Sequence, residues 1–447
     1  MSEDSHSKDS RSEGPTAGGP LIEAVRGGDR RHAEELLAAG TPAGPTAPGA
    51  AVPLAVAAAA GDALMAELLL EHGADPDQGA PLALAAERGA FGVAQVLLAS
   101  GADPLAPDAE GRTPAQLARR WQGIDPEQEL RRRLATAGPG PVSVHREEQP
   151  DETVLIVAEL DAGPAPRARA EVQDGHAAVL CLLEESLGVD TPFDELAARA
   201  LAAPDSEHPA WWEPVRALHR RGGEEAYAAA ERLCGDDRPR AREFGVDVLA
   251  QFDYLSRERP YAERIVALLR RMADQEQDPE VLQSVLAGLG HQRDPVALPE
   301  LARHVGHPYA PVRHSVAVAL VGLVPGDHAE AMAAVLALVA DPDEGVRDWA
   351  AFALASVEAD TPEIRETLAG LLADPSVPVV AEAARGLAHR GDPRAVEPLL
   401  RLLRESDPDE YAWDVALESA ESSADPRLRA AARTAAAGTW AELRHHP

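Results

Sequence analysis

The sequence predicts an all-α protein built as two consecutive helical solenoid arrays, on three observations. Hydrophobic residues make up 45% of the 447-residue chain but aromatic residues only 4%. Ala, Leu and Val supply most of that apolar content, and Ala and Leu are strong helix formers whose small volumes suit close helix packing. In the first third, a unit that opens on proline recurs at intervals of 33, 28 and 33 residues. In the second half, a longer two-helix unit recurs at intervals of 40, 31, 34, 33 and 33 residues. Fixed periods of this size are the signature of stacked repeats.

Residues 1–19 are rich in Ser, Asp and Gly with no apolar core, which predicts a disordered tail and no secretory signal. From there, Pro20-Leu21, Pro53-Leu54, Pro81-Leu82 and Thr113-Pro114 open four similar units. The first three run through an Ala-containing helix to Gly28, Gly61 and Gly89, and a Leu-rich second helix follows. Two of these close on Gly73-Ala74-Asp75-Pro76 and Gly101-Ala102-Asp103-Pro104. Glycine permits the left-handed residue that ends a helix, and the proline then forbids its continuation.

These motifs resemble the ankyrin repeat, whose unit opens Thr-Pro-Leu-His and closes Gly-Ala-Asp, and the resemblance covers residues 20–136. Val52 and Ala80 stand at the threonine position of the middle units, and Ala55 and Ala83 at the histidine position. The hydrogen bonds those side chains make in the family are therefore expected to be missing. Residues 137–152, with Ala137-Gly138-Pro139-Gly140-Pro141, read as a linker by composition. Residues 153–209 read as a helical connector. Thr153–Leu160 has strand character, but an isolated strand is not a sheet, so a helical or turn conformation is expected there. Helices are expected over Ala168–Leu187 and Thr191–Ala202, with Thr191 as N-cap. Trp211 and Trp212 read as a packing cap for the array that follows, over 210–447.

In the second array, turn residues Asp236, Glu276, His307, Asp341, Asp374 and Asp407 precede Leu249, Leu289, Leu320, Leu354, Leu387 and Ala420 by thirteen positions. Arg242, Arg313 and Arg347 lie six after their turn residue. The best unit is Asp341-Pro342-Asp343-Glu344-Gly345-Val346-Arg347 followed by Asp348-Trp349-Ala350-Ala351-Phe352-Ala353-Leu354. The pattern resembles the HEAT repeat in its short form, also found in phycobilin lyases. The resemblance implies a ladder between turn acids and helix arginines, with Glu276, Leu282, Val380 and Trp413 as breaks in it. It also implies that the second helices line a concave face.

Helical periodicity places Val346, Ala350 and Leu354 on the core stripe and positions 348, 349 and 352 away from it. The same columns down the array collect Glu243, Phe244, Asp247, His314, Asp348, Trp349, Phe352, Glu382, Arg385, Asp414 and Glu418, with Trp413 beside them. Acids beside aromatic rings suit a groove for an Arg- or Lys-rich partner, by charge pairing and cation–π contact. A merely solvated face is the alternative.

The charge balance agrees with a basic protein partner. There are 75 acidic against 42 basic residues, a net charge of −33. Such a surface repels phosphate backbones and anionic lipid, so neither nucleic acid nor membrane is an expected partner. Lys8 is the only lysine, which argues against a Walker lysine, a Schiff base or a Ser-Lys dyad. Cys181 and Cys234 form no zinc or disulfide pattern and read as small buried hydrophobes, consistent with a reducing cytoplasm. His304, His307 and His314 lack a completing ligand and read as turn and surface residues, and His445-His446 close the chain. No catalytic motif is found, and no cofactor or metal is expected. Three functions follow from the resemblances: a non-catalytic interaction scaffold, a neutralising or immunity protein for a basic toxin, or an enzyme on a HEAT scaffold. The last would be like a phycobilin lyase or a DNA glycosylase; a glycosylase needs a basic groove, and these columns are acidic or neutral.

Overall fold

The computed structural model describes residues 19–45, 49–161, 167–252, 258–326, 328–408 and 410–436. Of the tail expected over 1–19, only Gly19 falls among them, and His445-His446 fall outside. Two compact units divide the chain, residues 1–220 and 221–447. The class is the expected one, helical repeats throughout, with one small sheet inserted.

The first unit begins with four helix pairs: α1 (Pro20–Arg26) and α2 (Arg30–Ala38), α3 (Pro53–Ala60) and α4 (Ala63–Glu71), α5 (Pro81–Arg88) and α6 (Phe91–Ala99), α7 (Pro114–Arg119) and α8 (Pro126–Ala135). Proline opens α1, α3, α5, α7 and α8, where its missing N–H costs nothing. As the sequence implies, Val52 and Ala80 make no side-chain cap, whereas Thr113 forms a capping box with Gln116. Gly61 and Gly89 close α3 and α5 in the left-handed region, both at φ +76°. Gly89 is doubly constrained, because a Cβ there would stand 2.3 Å from the Gln173 carbonyl oxygen.

The segment after α8 departs from expectation. Residues 142–148, placed in a linker, form β1 (Val142–Glu148); the expected helical segment Thr153–Leu160 holds β2 (Val154–Leu160); and the expected helix Ala168–Leu187 opens as β3 (Ala168–Gln173). The three make an antiparallel meander with β2 central, Val142 opposite Leu160 and Leu160 opposite Ala168. The physical reason is a shared apolar face. Ile156, Ala158 and Val172, with Val142, Val144, Ala168 and Ala170, pack on Trp121, Leu130 and Leu134 of the preceding segment. The strands thereby bury one face that none could bury alone. Helices α9 (His176–Ser186), α10 (Phe193–Leu201) and α11 (Pro209–Arg221) follow. Thr191 does not cap α10: its hydroxyl donates to Glu184 Oε2 at 2.7 Å, and the helix starts two residues later. Trp211 is fully buried in α11.

The second unit stacks α12 (Gly223–Leu233), α13 (Pro239–Gln251), α14 (Ala262–Gln275), α15 (Pro279–Gln292), α16 (Leu298–Arg303), α17 (Ala310–Leu320) and α18 (Ala329–Leu338). It continues through α19 (Glu344–Ser356), α20 (Pro362–Leu371), α21 (Val377–His389), α22 (Val396–Glu405), α23 (Tyr411–Ser422) and α24 (Pro426–Ala436). The odd-numbered second helices α13 to α23 pack each on the next and form a continuous layer. Small residues permit this: a Cβ on Gly290 of α15 would stand 2.7 Å from the Ala319 Cα of α17.

Guanidinium rungs tie the repeats together. Arg313 Nε and Nη2 each donate to Asp341 at 2.7 Å, and Arg347 donates to Asp374 at 2.9 and 3.1 Å. Glu276 does not break this ladder: Arg242 donates to it at 2.8 and 2.9 Å, because the longer glutamate reaches the same fork. In each rung the remaining Nη1 donates backwards to the carbonyl of its own turn residue, Asp236, His307 or Asp341. Leu282 and Val380 replace the arginine at the other two joints. There the first helices carry ion pairs instead, Arg270 with Glu300 at 2.9 Å and Arg365 with Asp392 at 3.3 Å.

Candidate partner-binding face

The expected face gathers unevenly. Its first three residues are withdrawn: Glu243, Phe244 and Asp247 lie in a stretch of α13 where every residue from 243 to 250 is buried. Phe244 is fully enclosed and is a core residue. The column assignment assumed one solvated stripe per second helix, and α13 has none over that stretch.

The middle of the array does form a cluster. The Trp349 ring meets His314 of α17 edge-on at 6.2 Å and Phe352, one turn along α19, at 5.8 Å. The Arg385 guanidinium of α21 sits 4.5 Å over the Phe352 ring, and its Nε donates to Glu382 at 2.8 Å. Glu382 has no exposed surface. Its second oxygen accepts from the Tyr411 hydroxyl at the start of α23. Tyr411 is a neighbour outside the columns, three residues before Asp414.

Asp348 completes the cluster. Its Oδ1 is buried and has no hydrogen-bond partner among the described residues. Burial pushes its carboxyl up to about 6, and the negative charges of Glu382 and Glu344 add to the rise. Burial also lowers the His314 imidazole, keeping that ring neutral beside Trp349. Burial and the hydrogen bond to Glu382 raise the Tyr411 phenol. The cluster thus holds a guanidinium already stacked on an aromatic ring, and a half-buried carboxyl whose Oδ1 has no hydrogen-bond partner among the described residues.

Further along, Trp413 is half-buried on α23, while Asp414 and Glu418 are exposed there and their carboxylates make no ion pair among the described residues. The tie from α23 into the cluster is Tyr411, not these three. Among the described residues no group of three or more His, Cys, Asp or Glu side chains could hold a metal ion, and no helix is long and apolar enough to cross a membrane. Both cysteines are buried and free.

The first unit has a cavity of about 790 Å³ between the sheet and α9–α11, walled in part by Trp121, Ile156 and Ala210. Several of its polar groups are engaged internally, although the Trp121 Nε1 and Arg199 Nε atoms have no hydrogen-bond partner among the described residues. His208 lies 2.9 Å from Asp174 and accepts from the Ala210 N–H, while Arg199 bridges Glu184 and Glu195.

Comparison with known proteins agrees with the two arrays. Residues 21–120 match ankyrin repeats in three copies, and residues 332–418 match HEAT repeats. Protein YibA of Escherichia coli strain K12 is 26% identical over 220 residues, covering 48% of this chain and 75% of YibA. The crystal structure of that YibA protein covers 59% of this chain and 97% of its own at 22% identity, with a TM-score of 0.44. An engineered protein covers 91% and 100% at 18% identity, with a TM-score of 0.36. The chain carries ankyrin repeats in its N-terminal region, joined to HEAT repeats in its C-terminal region.

Proposed function

We propose that the protein is a non-catalytic interaction scaffold, and that it holds a basic partner protein on the second-helix layer around Asp348, Trp349, Phe352, Glu382 and Arg385. Ankyrin and HEAT repeats are protein-interaction modules, which supports a protein as partner. The observation that carries the finer reading is the Asp348 carboxyl, half-buried without a hydrogen-bond partner for Oδ1 among the described residues, on the same helix as the paired Trp349 and Phe352 rings. Leaving such a group in place costs stability, and a cation from a partner would relieve it. Asp414 and Glu418 would extend the acidic rim, where exposed charges steer association more than they add affinity. Nucleic acid and anionic membrane do not fit this charge, and the reading is cytoplasmic.

A second reading is favoured by the net charge of −33. A strongly acidic repeat array is also suited to neutralise one basic toxin as an immunity protein. Affinity capture separates the two: one dominant basic protein supports neutralisation, and several partners support a scaffold. Reversing Asp348 and Asp414 to Arg should weaken capture while the circular dichroism spectrum is retained. Binding that survives the reversal, or that is indifferent to salt, would sink the assignment of this face.

A further inference from the structure

We propose that the cavity of the first unit binds an uncharged small molecule, with an apolar body and carbonyl acceptors for two donors that the fold leaves unmet. Its walls come from three places. The sheet contributes Ile156, the loop between α7 and α8 contributes residues 121–125, and α9 to α11 with their connections contribute His176, Arg199 and His208. Ala177, Ala198, Ala202, Ala203 and Ala210 also line it. Their small side chains leave a volume of about 790 Å³, within the range of cavities that hold small ligands. The lining grades from inside to outside. Trp121, Ile156, His176, Arg199 and His208 are buried, whereas residues 122–125, Ala198 and Pro204 are exposed, so the cavity opens on the surface.

Two buried donors in this lining call for an acceptor. Trp121 and Arg199 are each 5% exposed, and neither Trp121 Nε1 nor Arg199 Nε has an acceptor among the described residues. The two buried histidines are engaged. His208 Nδ1 accepts from the Ala210 N–H, which leaves Nε2 to donate to Asp174 Oδ1 at 2.9 Å, and His176 Nε2 donates to the Glu87 carbonyl at 3.1 Å. A buried donor without an acceptor costs stability, and a carbonyl oxygen brought by an occupant satisfies it. The charges of the lining select against ions. Its two arginines are already paired, Arg146 with Glu127 and Arg199 with Glu184 and Glu195. Burial pushes the His176 imidazole down to about 4, so that ring adds no cation. A carboxylate would find no unpaired guanidinium there and would face Asp125, Asp174 and Glu195. A cation would leave both donors unmet. Nor is the Trp121 ring face open to it: His176 stacks on that ring at 4.3 Å and the Arg133 guanidinium lies over it at 4.8 Å.

This site is separate from the partner-binding face and does not rest on it. Phenylacetamide, phenylacetate and 2-phenylethylammonium share a body and differ in charge. Each is titrated against the full chain and followed by saturation-transfer NMR. Phenylacetamide should saturate, and should bind at least about fivefold more tightly than either ion. W121F keeps a ring and removes its donor, and should weaken the amide about three- to tenfold. A198W, a change at an exposed position, fills the cavity and should abolish binding, so it tests the site even where W121F does not fold. D348N should bind the amide as the wild type does. No saturable binding of the amide, equal or tighter binding of either ion, undiminished binding by A198W or by folded W121F, or a loss in D348N would each overturn the assignment.

Discussion

Replacing Asp348 by Asn should stabilise the protein, and by an amount that depends on pH. The folded carboxyl is raised to about 6 from an ordinary value of 3.8. It therefore binds its proton more tightly in the folded than in the unfolded state. That contribution to stability is fully present below the unfolded value and is lost as pH rises from about 4 through about 6. A shift of this size corresponds to roughly 3 kcal/mol at full burial, and solvent screening of a half-buried group reduces it to about 1–1.5 kcal/mol. Asn keeps the shape without the charge. The variant should match the wild type near pH 4 and exceed it by that amount near pH 7.5, a gain of about 2–5 °C in melting temperature for a unit of this size. Paired thermal and urea melts at several pH values and fixed ionic strength measure the difference. A stability difference that is flat with pH, or that favours the wild type at neutral pH, would refute the argument. The same variant should bind a basic partner less well, which is the pattern of a charge kept for function at a cost in stability.

Two further perturbations test the framework around the site. Arg347→Ala breaks a rung whose members are both mostly buried and should cost about 2–4 kcal/mol in urea denaturation. Arg347→Leu combined with Asp374→His copies the Leu282 and His307 joint and should recover a measurable part of that loss. A double variant no better than the sum of its singles would contradict the pairwise rung. Gly89→Ala meets the Gln173 carbonyl at 2.3 Å in a left-handed residue, and should destabilise the first unit by roughly 2–5 kcal/mol in a thermal melt. A neutral effect would mean that the ankyrin and sheet segments are not packed as described.

What could be read from the sequence was what local chemistry decides. Pro53 and Gly61, or Pro81 and Gly89, punctuate a helix by their own backbone preferences, so the repeats and their limits were visible without any tertiary contact. The sheet was not, because its evidence is pairwise. Val142 and Val144 alternate with Ser143 and His145, and Ala168, Ala170 and Val172 alternate with Arg169 and Glu171, yet each run is short. Only alongside Val154–Leu160 do they form one buried face. The candidate site divides in the same way. Trp349, Phe352 and Arg385 share a face by helical period, which one sequence shows. That Phe244 is enclosed, and that Tyr411 reaches Glu382, depends on how neighbouring helices stack. Glu276 was misread because residue type was taken for capacity: a glutamate one methylene longer reaches the same guanidinium.

The alternation of rung and no rung has a mechanical meaning. The first and second repeats of the HEAT-like array, and the third through fifth, are clamped at their turns by Arg242, Arg313 and Arg347. The joints at Leu282 and Val380 lack the arginine of the other turns, and ion pairs of the first helices help fasten them, Arg270 with Glu300 and Arg365 with Asp392. A joint with fewer fastenings along one edge bends there first, and that edge is the one where the turns lie. Bending should therefore concentrate at two places instead of spreading along the spring. Amide exchange at the turns after α16 and α22 should run ahead of that at the clamped turns.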